Sequence, residues 1–255
     1  MSDIKLYDLK NKKEIKKVNI LDVKEIIKKN LKNVFQIEII AKDLRIDENS
    51  NDAISYLGLD DNMQLVIIEY RYGKFGSLTK KGLFYIDYIK DHISRFKMLL
   101  NDYKKGIAEQ VNYNARLLVF CDDANSYDHY AIKHLPYTIE LIQLHFYDSY
   151  LAFEKVYQSR NIDHTSLKIN LKALPNYELY KYISDYLLSL GDEVIEVGNT
   201  NYLYYRKINT FAYLVFEKEI KLSILSNNKF VAYEIENADA FEKIISLVEK
   251  SYDEC

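Results

Sequence analysis

The spacing of apolar residues over residues 1–158 predicts a mixed α/β domain. Lys16–Val34 carries apolar side chains at roughly every third or fourth position, with lysines opposite, which predicts an amphipathic helix. Short apolar or alternating runs are typical of strands, and longer amphipathic runs of helices. They predict strands at Phe35–Ala41, Ala53–Leu59, Gln64–Tyr70, Ala115–Cys121, Thr138–Tyr147 and Tyr150–Tyr157, and helices at Lys80–Asp102 and Tyr127–Leu135.

Two of these strands are expected to form a hairpin. Asp60-Asp61-Asn62 separates Ala53–Leu59 from Gln64–Tyr70, and Asp and Asn favour tight turns because their side chains bond to nearby backbone groups. Gln64–Tyr70 is almost continuously apolar, which is typical of a central strand covered on both faces. Gly73–Thr79 is predicted to be a loop.

A second, smaller domain is predicted after the polar segment Ser159–Leu174. We expect a larger α/β domain over residues 1–158 and a small α+β domain over residues 170–255. A helix at Tyr177–Leu190 is expected to end at Gly191, since glycine often follows a helix C-terminus. The rest of this region predicts two or three strands within Val194–Ser226, a strand at Phe230–Ile235 and a closing helix at Ala238–Tyr252.

The composition narrows the class of protein. Hydrophobic residues make up 48% of the 255, enough to bury a sizeable core. There is no apolar run of about 18 residues and no signal-peptide pattern, so we expect a cytoplasmic protein without a membrane partner. Cys121 and Cys255 are too few and too far apart to predict a disulfide framework or a metal knuckle.

Positive charge is concentrated near the N-terminus, although the formal net charge is −3. Residues 1–42 contain eleven lysines and six acidic residues. One interpretation is a basic face that contacts nucleic-acid phosphates. The other is compositional bias, since the chain has 29 lysines and only six arginines. The first interpretation predicts DNA contacts from Lys12, Lys13, Lys16 and Lys17, together with Lys80 at the head of the longest predicted helix.

The strand Leu65–Arg71 carries the most informative charges. Three apolar residues precede Glu69, and Arg71 follows two positions later, on the same face of the strand. A carboxylate and a cation at this spacing resemble the second half of the PD-(D/E)XK nuclease motif, in which the carboxylate holds a divalent cation and a lysine steadies the attacked phosphate.

Longer stretches are similar to the same family. The sequence resembles PD-(D/E)XK endonuclease-like proteins, related to the RecB-type nucleases, that carry a small C-terminal domain. The resemblance implies a restriction-endonuclease-like mixed sheet flanked by helices, and DNA as a partner. It rests on Tyr56–Asp60, Val66–Tyr70, Lys81–Tyr88, Asp91-His92, Arg116–Phe120, Leu188–Val194, Tyr202–Phe211 and Ser251-Tyr252.

Carried over residue by residue, the resemblance leaves the site incomplete. The family has an Asp fourteen residues before the Glu, where this chain has Ser55; the Lys position is Arg71, and a Gln in the next helix is Lys81. Asp43 corresponds to an acidic residue that the family carries on the preceding strand. Glu69 is the one residue that matches the central part of the family's site well. We therefore expect Glu69 to form an ion-pair cluster with Arg71 or Lys81 in place of a metal. Asp60 is not expected to replace the missing Asp, by parity and distance along the strand, and Asp52 replaces it only where a bulge re-aims its side chain.

Three functions remain open at this point. The first is a nucleic-acid-binding protein of nuclease fold with a degenerate, inactive site and no cofactor. The second is a Mg²⁺-dependent DNA endonuclease that uses Glu69 and Asp43 as metal ligands, with Arg71 or Lys81 on the phosphate. The third is a protein-interaction module.

The C-terminal region offers one further candidate, a set of aromatic and cationic side chains in a predicted hairpin. Such sets can stack bases and hold phosphates. Aromatic residues are also ordinary strand formers, and we favour this structural role. The set is Tyr202, Tyr204, Tyr205, Arg206, Lys207, Phe211 and Tyr213.

Overall fold

The computed structural model describes residues 6–15, 22–46, 52–71, 78–124, 126–159, 162–163 and 167–255. Within these residues the strands form one two-stranded sheet and two six-stranded sheets. The small sheet pairs β1 (Leu6–Asp8) with β2 (Lys13–Ile15). The predicted Lys16 and Lys17 and most of the predicted loop at Gly73–Thr79 lie outside the described residues.

The first six-stranded sheet is mixed and has helices packed against it. Its strand order is β3-β4-β5-β6-β7-β8, with β5, β6 and β7 mutually parallel and the other pairs antiparallel. The strands are β3 (Glu38–Arg45), β4 (Ala53–Leu59), β5 (Gln64–Arg71), β6 (Asn112–Cys121), β7 (Ile139–Tyr147) and β8 (Tyr150–Gln158); the helices are α1 (Val23–Phe35), α2 (Leu78–Asp91), α3 (Ile93–Tyr103) and α4 (Ser126–Lys133).

Local sequence explains two features of this sheet. Asp22 caps α1, its side chain accepting a hydrogen bond from the Glu25 N–H, and the apolar stripe of α1 is buried. The predicted β4–β5 hairpin is confirmed. Its turn is held by Asp60, whose Oδ1 accepts hydrogen bonds from the backbone N–H groups of Asn62 (3.0 Å) and Gln64 (2.9 Å).

The single long helix predicted at Lys80–Asp102 is wrong. His92 has φ −124° and ψ 36°, which are not helical values, so α2 ends and α3 begins there. The His92 ring stacks on the Tyr88 ring, with centroids 4.0 Å apart. Apolar periodicity continues through the break, which is why the pattern alone predicts one helix.

The second six-stranded sheet follows residue 159, in the order β14-β13-β12-β11-β10-β9. Four strands, and not two or three, lie within Val194–Ser226, and the predicted closing helix is divided in two. The elements are β9 (Ile162–Asp163), α5 (Tyr177–Ser189), β10 (Ile195–Gly198), β11 (Tyr202–Arg206), β12 (Thr210–Phe216), β13 (Ile220–Ser226), β14 (Lys229–Ile235), α6 (Ala238–Glu242) and α7 (Ile245–Glu254).

Each large sheet has its own hydrophobic clusters. Two clusters cover the two faces of the first sheet, and a further two lie within the second. The domain limits at residues 158 and 170 stay a prediction, but β9 lies between them and pairs with β10. None of the helices that the structure describes is both long and apolar enough to cross a bilayer.

Candidate functional site

The Glu69 side chain lies near the end of β5, and within the part of the chain that the structure describes its hydrogen bonds come from one residue. Ser55 on β4 donates two hydrogen bonds to it, from its backbone N to Oε1 (2.9 Å) and from its Oγ to Oε2 (2.6 Å). Glu69 is only 4% exposed. Both oxygens of a buried carboxylate therefore accept a hydrogen bond from the residue that replaces the expected Asp.

The hairpin register places these two residues together. The β4–β5 ladder pairs Tyr56 with Ile68 and Leu57 with Ile67, so one step further along brings Ser55 opposite Glu69. Opposite residues of antiparallel strands face the same side of the sheet. Ser55 and Glu69 therefore lie side by side on one face of the sheet.

The environment of Glu69 favours its protonated form. Burial raises the pKa of Glu69, while the two Ser55 hydrogen bonds and the charges of Lys81 and Lys24 lower it; the pKa remains above its usual value. Neutral donors supply the direct contacts, and they offset only part of the cost of removing a carboxylate from water.

The predicted ion-pair cluster of Glu69, Arg71 and Lys81 is wrong. The Arg71 guanidinium turns towards α4, where Nη2 lies 3.2 Å from Asp128 Oδ2 and donates to the Asp123 carbonyl at 2.7 Å. Both side chains of the Arg71–Asp128 pair are less than a quarter exposed. Arg71 is therefore bound to an acid that follows β6, since β5 and β6 are parallel neighbours.

Lys81 and Asp43 are also paired with other residues. Lys81 Nζ lies 2.7 Å from Asp52 Oδ1, and both side chains are about half exposed. Asp43 Oδ1 lies 2.5 Å from Lys24 Nζ, and its side chain is 67% exposed. Each of these exposed acids neutralises a lysine that approaches the Glu69 site from a different helix.

The donor set does not fit a divalent cation. Mg²⁺ in proteins is held by one or two carboxylates with near-octahedral geometry. Asp43 is on β3 and Glu69 is on β5, so β4 separates their backbones by two strand spacings, about 9.6 Å. Among the described residues no group of three or more His, Cys, Asp or Glu side chains is arranged to hold a metal.

The lysines predicted to contact nucleic acid are placed on two separate elements. Lys12 and Lys13 are exposed in the β1–β2 hairpin, and Lys80 is exposed near the start of α2. In the C-terminal set, by contrast, four members are buried and three are partly buried. The buried members are Tyr204, Tyr205, Arg206 and Phe211. The structural role that we favour for this set agrees with that burial.

A buried charge cluster joins the two large sheets, and the sequence analysis did not identify it. Glu140 on β7 accepts hydrogen bonds from Arg116 Nη1 (2.9 Å, to Oε1) and from Arg206 Nη2 (2.5 Å, to Oε1) and Nη1 (3.0 Å, to Oε2). Arg206 belongs to β11 of the second sheet. Lys155 Nζ lies 3.9 Å from Glu140 Oε2, and Asp60 Oδ2 lies 3.3 Å from Arg116 Nε.

The neighbouring charges and the burial of this cluster shift the pKa values of Glu140 and Lys155. Burial alone raises the pKa of Glu140, but Arg206 and Arg116 outweigh it and hold that pKa well below its usual range. Burial lowers the pKa of Lys155 to about 8, against the opposing pull of Glu140. One sequence signal could have indicated the cluster: Glu140 is a charged residue inside the otherwise apolar predicted strand Thr138–Tyr147.

Comparison with protein-family models, with curated proteins and with solved structures finds no match for this chain.

Proposed function

We propose that this chain is a DNA-binding protein of nuclease-like fold whose Glu69 site does not perform metal-dependent cleavage. The observation that carries the proposal is the pair of hydrogen bonds from Ser55 to Glu69. These bonds lie where the resemblance implies two metal-binding acids. A serine there removes one negative ligand and ties up the remaining carboxylate.

The arrangement of elements supports the fold part of the proposal. A helix, three antiparallel strands, a helical segment and a strand parallel to the third strand follow one another from α1 to β6. The resemblance implies the same order, with the carboxylate on the third strand. Glu69 lies on that strand, β5.

The surroundings of Glu69 support the loss of cleavage. In the implied site a lysine steadies the attacked phosphate, but Arg71 is engaged by Asp128 and by the Asp123 carbonyl. Lys81, the other candidate cation, is engaged by Asp52. A guanidinium fork is also not equivalent to a compact ammonium at a phosphate.

Purified protein tests both parts of the proposal. With Mg²⁺ or Mn²⁺ present, we expect no cleavage of single-stranded, double-stranded or branched DNA, and salt-dependent binding to at least one of them. Cleavage that disappears in Glu69→Ala overturns the catalytic part, because a contaminating nuclease would be unaffected. Failure to bind any of these DNAs at low salt overturns the binding part.

A further inference from the structure

The edge of the first sheet carries a groove between α1 and β3. It encloses about 650 Å³, and lysines from both elements line it. We call it the β3 groove and define its cations as Lys28, Lys29, Lys32 and Lys42. Among the described residues, the one acidic side chain that lines it is Glu38. Within this lining, four positive charges face one negative charge.

Two lysines from opposite walls of the β3 groove interact with each other. Lys28 on α1 and Lys42 on β3 come from opposite walls, and the contact with the Lys28 ammonium lowers the pKa of Lys42. Lys28 also pairs with Glu25 at 2.8 Å, which removes part of the repulsion. An anion that binds between two ammonium groups reduces the electrostatic repulsion between them.

The groove continues into a second cavity of about 670 Å³, which shares Lys32, Glu38 and Ile40 with it. We call this the Tyr103 pocket. Its volume falls in the range of small-molecule sites. The apolar part of its lining is Ile40, Leu59, Met63 and Ile107, and its additional cations are Lys104 and Lys105.

Tyr103 gives this pocket an aromatic wall. The ring is 40% exposed, and its hydroxyl donates a hydrogen bond to Glu38 Oε1, which holds the side chain in place. Asp60 and Asp61 also line the pocket, so together with Glu38 its three acids balance its three lysines, and the positive excess lies in the groove. Aromatic rings beside cations are the usual elements of single-strand recognition.

From these observations we infer that the β3 groove and the Tyr103 pocket together bind single-stranded DNA, with phosphates on the groove lysines and an unpaired base in the pocket. This inference rests on the proposed function. A duplex keeps its bases stacked inside, whereas a single strand can place a base against an aromatic side chain.

An added peptide strand is the alternative occupant of an edge strand, and the shape of β3 disfavours it. The β3–β4 register shifts between Ile39 and Ala41, and Asp43 has a left-handed backbone with φ 45°. Bulges and exposed lysines are the features that keep edge strands from pairing with other chains. The side chains of β3, and not its backbone, are therefore the expected contacts.

Fluorescence anisotropy with labelled oligothymidylate tests the inference, using the full chain. The variant Lys28→Gln/Lys32→Gln/Lys42→Gln is compared with Lys218→Gln/Lys229→Gln/Lys243→Gln, which removes the same charge at exposed positions of the second half. We expect at least tenfold weaker binding in the first variant only. Its slope of log affinity against log salt falls by about 2, since each phosphate contributes about 0.7 on single strands.

A second set of variants tests base binding in the Tyr103 pocket. Tyr103→Leu weakens single-strand binding about fivefold or more, because stacking contributes roughly 1–3 kcal/mol per base. Tyr103→Phe retains binding. The unmodified protein gives a readout that does not depend on the folding of a variant. When its lysines are acetylated and analysed by mass spectrometry, we expect oligothymidylate to protect Lys32 and Lys104 from acetylation.

The outcomes separate this inference from the proposed function. If the unmodified protein binds DNA but both triple variants bind equally well, or Lys32 is not protected, the groove is not the site and the proposed function stands. Tighter binding to duplex DNA or to oligouridylate than to oligothymidylate overturns the choice of ligand. If the unmodified protein binds no DNA, both proposals fail together.

Discussion

Glu69 on β5 and Glu140 on β7 are carboxylates of the same sheet, 4% and 1% exposed, and the side chains that face them differ in charge. Glu140 is bonded to the guanidinium groups of Arg116 and Arg206, whereas Glu69 is bonded to the neutral groups of Ser55. The pKa of Glu140 is accordingly lowered and that of Glu69 is raised.

The two buried carboxylates therefore differ in how their charge is balanced. Glu140 is held in its charged form and joins two sheets, because two arginines balance its charge where it lies. Among the described residues no cation is bonded directly to Glu69, so burying its charged form reduces the stability of the fold. Buried acids of that second kind are frequent at functional sites.

Removing the charge of Glu140 is expected to have the largest effect. Glu140→Gln removes the anion bonded to Arg206 and leaves Arg116 with Asp60 as its acidic partner, which costs about 3–5 kcal/mol of unfolding free energy. Urea unfolding measures this loss. Glu234→Gln is the control, since the Glu234–Lys221 pair is exposed and 4.0 Å apart. Equal losses in the two variants would show that the cluster does not stabilise the fold.

Ser55→Ala is expected to have an intermediate effect. The change removes the hydroxyl that donates to Glu69 Oε2 and leaves that buried oxygen without this donor, at a cost of about 1–3 kcal/mol. A double-mutant cycle with Glu69→Gln isolates the interaction. A coupling energy near zero contradicts the contact.

The pH dependence of stability sharpens the comparison further. Because the folded pKa of Glu69 is raised, the folded state binds the proton more tightly than the unfolded chain, and the associated stability is lost as pH rises through the folded value. The stability of the unmodified protein relative to Glu69→Gln therefore falls as pH rises from about 4. Denaturant titrations of both proteins at several pH values measure it.

The contribution of Glu140 to stability is expected to depend on pH with the opposite sign. Its lowered pKa means that its contribution is present above the ordinary carboxyl value and is lost only as pH falls through the lower folded value. If the unfolding free energy of the unmodified protein relative to Glu69→Gln rises with pH, the folded pKa of Glu69 is lowered, as that of Glu140 is, and the comparison fails.

Breaking the Lys81–Asp52 pair is expected to have the smallest effect. Lys81→Gln changes the unfolding free energy by no more than about 1 kcal/mol, because both side chains are about half exposed and solvent screens the pair. A loss as large as that of Ser55→Ala would mean that Lys81 supports Glu69 directly.

Local patterns determined much of what the sequence predicted correctly. The β4–β5 hairpin follows from a turn residue and two apolar runs, and its register alone brings Ser55 next to Glu69. The partners of Arg71 and Lys81 could not be predicted in the same way. They depend on where Asp128 and Asp52 lie in space, and several acids were equally plausible along the chain.

Longer-range features escaped prediction for a related reason. The break at His92 depends on one residue with non-helical dihedral angles inside a continuous apolar pattern. The cluster around Glu140 combines charges from both sheets, separated by up to 66 positions between Glu140 and Arg206. Sequence spacing does not specify such pairings before the fold is known.

Calorimetric titration with Mn²⁺ tests the central claim most directly, that Ser55 has replaced a metal ligand beside Glu69. We predict that the unmodified protein gives no more heat than Glu69→Gln. The double variant Ser55→Asp/Arg71→Lys is predicted to gain measurable Mn²⁺ binding, because it restores a second carboxylate on the adjacent strand. Binding of one Mn²⁺ by the unmodified protein that Glu69→Gln abolishes would contradict the account.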